Sequence, residues 1–186
     1  MKRTTFLAVV LLAFAFTAHA QDAAKKYTAV KPADPESKVV LDSWNEIGRK
    51  LTALAEDFPE DKYDFKPTPA QRSFAEQLLH AAGSCYYFTN AAMEQKLPAE
   101  DPKREQYKSK ADVVAFVKKA FADGAAAIQA KGEKGLMTEV LYYPGQKARV
   151  LDIAYGIIEH SGEHYGQLVV YYRLEGLVPP ESRPQK

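Results

Sequence analysis

Four stretches of this chain place apolar residues every three or four positions, and this periodicity limits the fold more than any other feature. Such spacing is typical of amphipathic helices that bury one stripe in a shared core. The first stretch shows it in Val40, Trp44, Ile47, Leu51, Leu54 and Phe58. Four such helices joined by connections of moderate length predict an all-α fold, a four-helix bundle over residues 35–182.

Local signals mark where each helix should begin. Asp34 followed by Pro35 is typical of an N-cap with proline at the first helical position. Ser73 and Glu76 match an S-x-x-E capping box, which ties the first N–H groups of a helix to nearby side chains. The remaining two starts are predicted at Ser109 with Asp112 and near Ala148.

The helix ends are predicted from residues that cannot continue a helix or that cap it. These are Pro59 for the first helix, the region of Met93 for the second, Gly132 and Gly135 for the third, and Gly176 after Leu174 for the fourth. Residues 136–148 stay ambiguous, since Leu136 to Tyr143 fits either a short strand or an extended loop closed by the Pro144-Gly145 turn.

The N-terminus has the three parts of a secretory signal peptide. Lys2 and Arg3 are followed by an apolar run from Phe6 to Phe16, and Ala18-His19-Ala20 supplies small residues around a cleavage site. The run is too short for a membrane anchor, which needs about 20 apolar residues. We therefore expect residues 1–20 to be removed, Gln21 to become the N-terminus, and the protein to be periplasmic or secreted. Residues 21–34 are polar and predict a flexible segment, and residues 183–186 a C-terminal tail.

Charge and cysteine content exclude several classes of function. The formal net charge is +1, and no Lys/Arg cluster with interleaved aromatic residues occurs, which argues against a nucleic-acid partner. No later segment is apolar enough to span a membrane. Cys85 is the one cysteine, so an intramolecular disulfide is excluded. We predict that Cys85 is a buried, unreactive side chain and not a nucleophile.

The histidines carry the main chemical signal. Once His19 has left with the leader, His80, His160 and His164 remain. His160 and His164 stand four apart on the fourth predicted helix, so their rings share one helical face. His80, well inside the second helix, is the remaining candidate for a third ligand. Three imidazoles would hold a divalent metal ion and leave coordination positions open.

Small residues near the histidines strengthen this interpretation. Gly156, Gly162 and Gly166 lie in mid-helix, where each costs about 1 kcal/mol relative to Ala, and we expect them to admit a neighbouring helix. We expect Gly83 and Ser84, which follow His80 on the second helix, to allow the same close approach from that side. Glu163 is either an acceptor for an imidazole N–H or a solvated surface charge. The H-E-x-x-H motif of zinc proteases is absent.

Two longer stretches resemble the DinB-like superfamily of metal-binding helical bundles. The stretch RSFAEQLLHAA, from Arg72, matches the family's capped second helix with its first histidine ligand. The stretch EHSGEHYGQLVVYYRLEGLVPPES, from Glu159, matches the family's H-x-x-x-H-x-G-Q-L run, followed by an arginine, a glycine and a proline-rich exit. With Trp44 at the family's place in helix one, the resemblance covers about residues 36–182.

The resemblance implies an up-down-down-up bundle with a long crossover between helices two and three, a metal on the three histidines, and a homodimer. Imidazole ligands suit zinc, nickel, copper or iron, and we expect zinc or nickel.

The resemblance leaves the activity open, because fold does not fix function. One interpretation is a metal-binding protein without assigned role. Another is a metal-dependent enzyme with a small-molecule substrate, a thiol S-transferase or a hydrolase. A third is a purely structural bundle. Export argues against thiol chemistry, since cytosolic thiol cofactors are scarce outside the cell.

Overall fold

The computed structural model describes residues 35–143 and 145–184, which form a four-helix bundle with one β-hairpin. The helices are α1 (Glu36–Asp57), α2 (Phe74–Ala92), α3 (Lys110–Leu136) and α4 (Val150–Leu174), and the antiparallel strands are β1 (Glu139–Tyr143) and β2 (Gln146–Arg149). Short 3-10 turns lie at Glu60–Lys62, Arg104–Gln106 and Pro180–Ser182. The predicted all-α class is confirmed, and the ambiguous stretch is a hairpin.

The predictions for residues 1–34 lie outside the described residues. These are the signal peptide, the N-terminus at Gln21, the flexible segment and the Asp34 cap. Among the residues that the structure describes, no helix has both the length and the hydropathy needed to cross a membrane.

The predicted capping box at Ser73 is present, and the predicted helix start at Ser109 has one as well. The N–H of Ser73 donates to Glu76 Oε2 at 2.6 Å, and the Glu76 N–H donates to Ser73 Oγ at 3.2 Å. Ser109 and Asp112 make the same reciprocal pair at the start of α3. Each box pairs N–H groups that the first turn of a helix leaves without helical partners, so both helix starts follow from the local sequence.

The first helix begins one residue later than predicted, because Pro35 is the N-cap and not the first helical residue. Proline offers no side-chain acceptor for the free N–H groups of the first turn. The carboxylate of Glu133, from the end of α3, accepts from the N–H groups of Glu36 and Ser37 at 3.0 and 3.1 Å. The start of α1 is thus capped by a tertiary contact with another helix.

Three other helix boundaries depend on the hairpin or on glycine. Helix α4 begins at Val150 and not near Ala148, because Ala148 pairs with Val140 in the hairpin. Gly132 does not end α3 but breaks it at a positive φ of 57°, after which the helix resumes to Leu136. Gly176 does follow the end of α4, with φ of 71°.

The chain directions follow from which helix ends meet. Trp44 near the start of α1 packs on Phe88 near the end of α2, with ring centroids 5.0 Å apart. Phe58, just after α1, stacks on Phe74 at the start of α2 at 3.8 Å. Helices α1 and α2 are therefore antiparallel, and they lie diagonally across the bundle because each packs mainly on α3 and α4.

The other two helices complete the up-down-down-up order that the family resemblance implied. Lys110, at the start of α3, donates from Nζ to the carbonyl of Phe58 at 2.7 Å, so α1 and α3 are antiparallel. Tyr172, near the end of α4, donates its hydroxyl to the carbonyl of Leu54 at 2.8 Å, so α1 and α4 run in the same direction. Helices α2 and α4 are consequently antiparallel neighbours, which sets the geometry of the histidines.

Candidate metal centre

The three predicted histidines converge between α2 and α4. One ring nitrogen from each of His80, His160 and His164 lies within 4.8 Å of the other two. The Nε2 atoms of His160 and His164 are 3.1 Å apart, and the ring of His80 is centred 5.2 and 4.7 Å from theirs. The i, i+4 spacing accounts for the pair on α4, and antiparallel packing brings α2 to it.

These distances fit a shared metal ion. Two nitrogens bound to one tetrahedral ion at 2.0 to 2.1 Å stand about 3.3 Å apart, close to the observed separation of the His160 and His164 Nε2 atoms. His164 is buried, and His80 and His160 are half-buried. The donor set is therefore nitrogen-only and partly shielded from water, with room on its exposed side for a further ligand.

Asp101 orients His80. Its Oδ2 lies 2.6 Å from His80 Nδ1, so this nitrogen donates to the carboxylate and Nε2 is left as the nitrogen with a free lone pair. A carboxylate behind a ligating imidazole fixes the tautomer and strengthens the nitrogen as a donor. Asp101 also lies 3.7 Å from Arg72 Nη2. Sequence reasoning missed Asp101 because it belongs to the charged loop between α2 and α3, far from any local pattern.

Gln77 plays the corresponding role for His164. The Gln77 side-chain amide lies 2.5 Å from His164 Nδ1, and it also contacts the side-chain amide of Gln167. The amide atom nearest Nδ1 is Gln77 Nε2, which also donates to Gln167 Oε1. A metal ion on His164 Nε2 would leave the ring proton on Nδ1, and the Gln77 amide would then have to present its oxygen to this nitrogen. Gln77 stands one helical turn before His80, and a buried amide among apolar residues was the signal that could have identified it.

Ser84 contacts the third histidine. Its hydroxyl donates to the carbonyl of His80 at 2.9 Å and lies 3.0 Å from His160 Nε2. A single hydroxyl proton cannot serve both contacts, so while Ser84 donates to the carbonyl of His80 its oxygen can only accept an N–H from His160 Nε2. The contact with His160 therefore belongs to the metal-free ring, since a nitrogen bound to a metal ion carries no proton.

Burial keeps the histidines on α4 neutral. Desolvation, together with the neighbouring His80, lowers the pKa of His160 below its usual value. Desolvation and the nearby His160 lower the pKa of His164 from 6.5 to about 4. Neutral imidazole is the form that binds a metal, so the fold supplies the protonation state that such a site needs.

The expected reason for the mid-helix glycines is wrong. A Cβ at Gly156, Gly162 or Gly166 would meet no atom of the described residues within 4 Å, so none of them admits a neighbouring helix. A close approach occurs at Gly83 instead, where a Cβ would stand 2.6 Å from Cδ of Pro102. Gly83 thus admits the loop that carries Asp101, and not helix α4.

The other sequence candidates near the site have no direct role in it. Glu163 is exposed, as in the surface-charge alternative, and Asp101 and Gln77 provide the imidazole partners instead. Cys85 is fully buried, as predicted, and burial raises the pKa of its thiol. Its sulfur faces the carbonyl of Ala81 at 3.9 Å.

Comparison with known proteins identifies the family. The sequence model of the DinB superfamily matches residues 44–168, more than half of the chain, and this range includes all three histidines. No curated protein matches the chain significantly.

Two solved structures share the fold. A DinB-like protein from Bacillus subtilis is 20% identical, with a TM-score of 0.60 over 78% of this chain and 99% of its own. A DinB-like protein from Bacillus cereus is 17% identical, with a TM-score of 0.60 over 76% of this chain and 93% of its own. At these identities the likeness concerns the fold alone.

Proposed function

This chain belongs to the DinB superfamily, and we propose that it binds one divalent metal ion through His80, His160 and His164. The observation that carries the proposal is the approach of three ring nitrogens to within 4.8 Å of one another. The lowered pKa values of His160 and His164 support it, because both rings are neutral at physiological pH. Zinc or nickel is the metal we propose, since both accept imidazole nitrogen.

The partners of the histidines favour a metal over a structural hydrogen-bond cluster. His80 and His164 are each contacted at Nδ1, by Asp101 and Gln77, which leaves Nε2 of each ring as the nitrogen that can bind an ion. A purely structural cluster has no need to bring one ring nitrogen from each of three histidines to a common point. Two of the three side chains are oriented as they are in metal sites, where a second group fixes the ring.

A second candidate function is a metal-dependent enzyme, a thiol S-transferase or a hydrolase. It is favoured by a cavity of about 420 Å³ that His80 and His160 help to line, which is large enough for a small molecule. A divalent ion on three imidazoles would supply a Lewis acid with coordination positions for water or substrate. The protein's own residues would hold and shield the reacting molecule.

Location and assembly are part of the proposal. The leader at residues 1–20 supports export to the periplasm or the medium, and the mass of the exported protein tests whether it begins at Gln21. The family resemblance supports a homodimer, which sedimentation of the purified protein tests. The proposal of metal binding by a single chain does not depend on export or on dimer formation.

Metal titration of the mature protein tests the main proposal. We expect one equivalent of Zn²⁺ or Ni²⁺ to bind, and each of His80→Ala, His160→Ala and His164→Ala to lose most of the affinity. Binding to the folded state should also raise the melting temperature, with about 2.7 kcal/mol gained at a metal concentration 100 times Kd.

A matched control is Tyr155→Ala, which changes a large but exposed side chain on the same helix as His160 and His164. It should bind metal like the wild type. Absence of stoichiometric binding, or equal binding by the triple histidine variant, would refute the proposal.

A further inference from the structure

A tyrosine-lined cavity adjoins the histidines. Its volume is about 420 Å³, within the range of small-molecule sites. It is lined by His80 and His160 and by three aromatic residues, Tyr87 of α2 with Tyr142 and Tyr143 of β1. A ligand bound at the exposed face of the histidines would therefore extend into an aromatic enclosure.

A β-bulge turns two consecutive tyrosines into this cavity. Leu141 pairs with Lys147 and Tyr143 with Gln146, so Tyr142 is the extra residue of β1. In a regular strand, neighbouring side chains point to opposite faces, whereas a bulge re-aims one of them. Tyr142 and Tyr143 consequently share the cavity, with ring centroids 4.4 Å apart, and the Tyr87 ring lies 6.3 Å from that of Tyr143.

Gly156 keeps the cavity open on the side of α4. Glycine inside a helix is destabilising relative to alanine, so its presence calls for a reason. Neither of the usual reasons applies, because Gly156 has no positive φ and a Cβ there would meet no described atom within 4 Å. Since Gly156 lines the cavity one helical turn before His160, the missing side chain adds volume next to the candidate metal ligands.

The charge of the lining restricts what can enter. Asp101 and Glu159 contribute carboxylates, and among the described residues no lysine or arginine lines the cavity. The faces of the tyrosine rings carry negative electrostatic potential and attract ring edges or cations. An anionic group at the tyrosine end of this cavity, away from the ion proposed on the histidines, would lose its hydration without gaining a lysine or arginine partner.

We propose that this cavity receives the tail of a metal-bound ligand, and that the tail is an aromatic ring without negative charge. The inference rests on the proposed function, because the head of the ligand binds the ion held by the three histidines. To the proposed metal binding it adds the class of the ligand, which is a small molecule with a metal-binding head and an uncharged or cationic ring. Tyr87, Tyr142 and Tyr143 contact the ring, and the side-chain-free surface at Gly156 makes the space for it.

Three hydroxamates with the same metal-binding head and different tails test the proposal on the Co²⁺-loaded mature protein. Acetohydroxamate has no ring, benzohydroxamate adds a neutral ring, and 4-carboxybenzohydroxamate adds a ring with a negative charge. Absorption of the bound Co²⁺ reports binding without any assay of activity. We expect benzohydroxamate to bind at least tenfold more tightly than acetohydroxamate, and the carboxylate to remove most of that gain.

Two leucine substitutions on α4 form a matched pair. Gly156→Leu places a side chain in the cavity and should abolish the tenfold gain from the ring, while Kd for acetohydroxamate changes less than twofold. Gly162→Leu adds the same side chain at a position that is equally exposed and equally free of neighbours but does not line the cavity, and should keep the gain. Tyr143→Ala should lose part of it.

The outcomes separate the two proposals. If Co²⁺ does not bind, the proposed metal site is wrong. If Co²⁺ binds but the ring adds no affinity, or if Gly156→Leu keeps the full gain, the aromatic tail site is wrong and the metal site stands.

Discussion

Asp101 Oδ2 lies 2.6 Å from His80 Nδ1, although the two residues are 21 positions apart and belong to a loop and a helix. The contact occupies Nδ1 and leaves Nε2 as the nitrogen of His80 that can bind an ion. It therefore makes a loop residue responsible for the orientation of a candidate metal ligand, and the first prediction follows from it.

Replacing Asp101 should weaken metal binding without removing a ligand. Asp101→Ala should lower the affinity for Zn²⁺ about 10- to 100-fold, the usual cost of losing a group that orients a ligating histidine. Asp101→Asn keeps an acceptor oxygen but no charge and should lose less. Competition with a chromophoric chelator measures both. Wild-type affinity in Asp101→Ala would mean that the carboxylate does not support the site.

Gly83→Ala should destabilise the protein and weaken the site together. The new Cβ would stand 2.6 Å from Cδ of Pro102, so the loop must shift and take Asp101 with it. We expect a loss of about 1 to 3 kcal/mol in the free energy of unfolding, typical of overpacking. Gly162→Ala is the control, and it should stabilise α4 by up to about 1 kcal/mol because nothing opposes its methyl group. Urea unfolding compares the two, and equal effects would contradict this packing.

Substitutions of Gln77 test the tautomer of His164. If the Gln77 oxygen accepts from Nδ1–H, Gln77→Glu supplies a stronger acceptor and should preserve metal affinity, whereas Gln77→Leu should lower it by about tenfold. Isothermal titration of the two variants, with circular dichroism as a check of folding, makes the measurement. Equal affinities for the leucine and glutamate variants would contradict the assignment.

The metal-free protein should lose stability as the solution becomes acidic. The pKa of His164 is about 4 in the folded state, because burial and His160 disfavour its charged form, against 6.5 when unfolded. Because the folded-state pKa is lowered, the stability that depends on a neutral His164 is fully present above pH 6.5 and is lost as the pH falls toward 4. The expected loss in the free energy of unfolding is on the order of 3 kcal/mol.

Urea unfolding at pH 7 and pH 4.5 measures this effect, with His164→Gln as the comparison. The variant carries no titrating ring at this position, so its stability should fall less over the same interval. Parallel pH profiles for the two proteins would show that His164 is not the group responsible.

Cys85 should react with thiol reagents only when the protein unfolds. Its side chain is fully buried, and burial raises the pKa of the thiol, so little reactive thiolate forms. Labelling by a disulfide reagent should therefore be at least about 100-fold slower in native buffer than in denaturant. Rapid labelling of the native protein would show that the second helix opens around Cys85.

The sequence alone determined those features that depend on residues close together along the chain. The capping boxes at Ser73 and Ser109 and the helix end before Gly176 need only contacts within a few residues, and all are present. The shared face of His160 and His164 likewise follows from the helical repeat. His80 was added as the remaining histidine and through the family resemblance.

Tertiary structure decided whatever depends on where loops and helices pack. Asp101 reaches His80 because a loop folds across α2 at Gly83, and the start of α1 is capped by Glu133 from another helix. The prediction for the glycines of α4 was wrong because the sequence cannot distinguish a glycine at a close helix contact from one at an open position. The bulge at Tyr142 depends on strand register, which only the pairing of β1 with β2 defines.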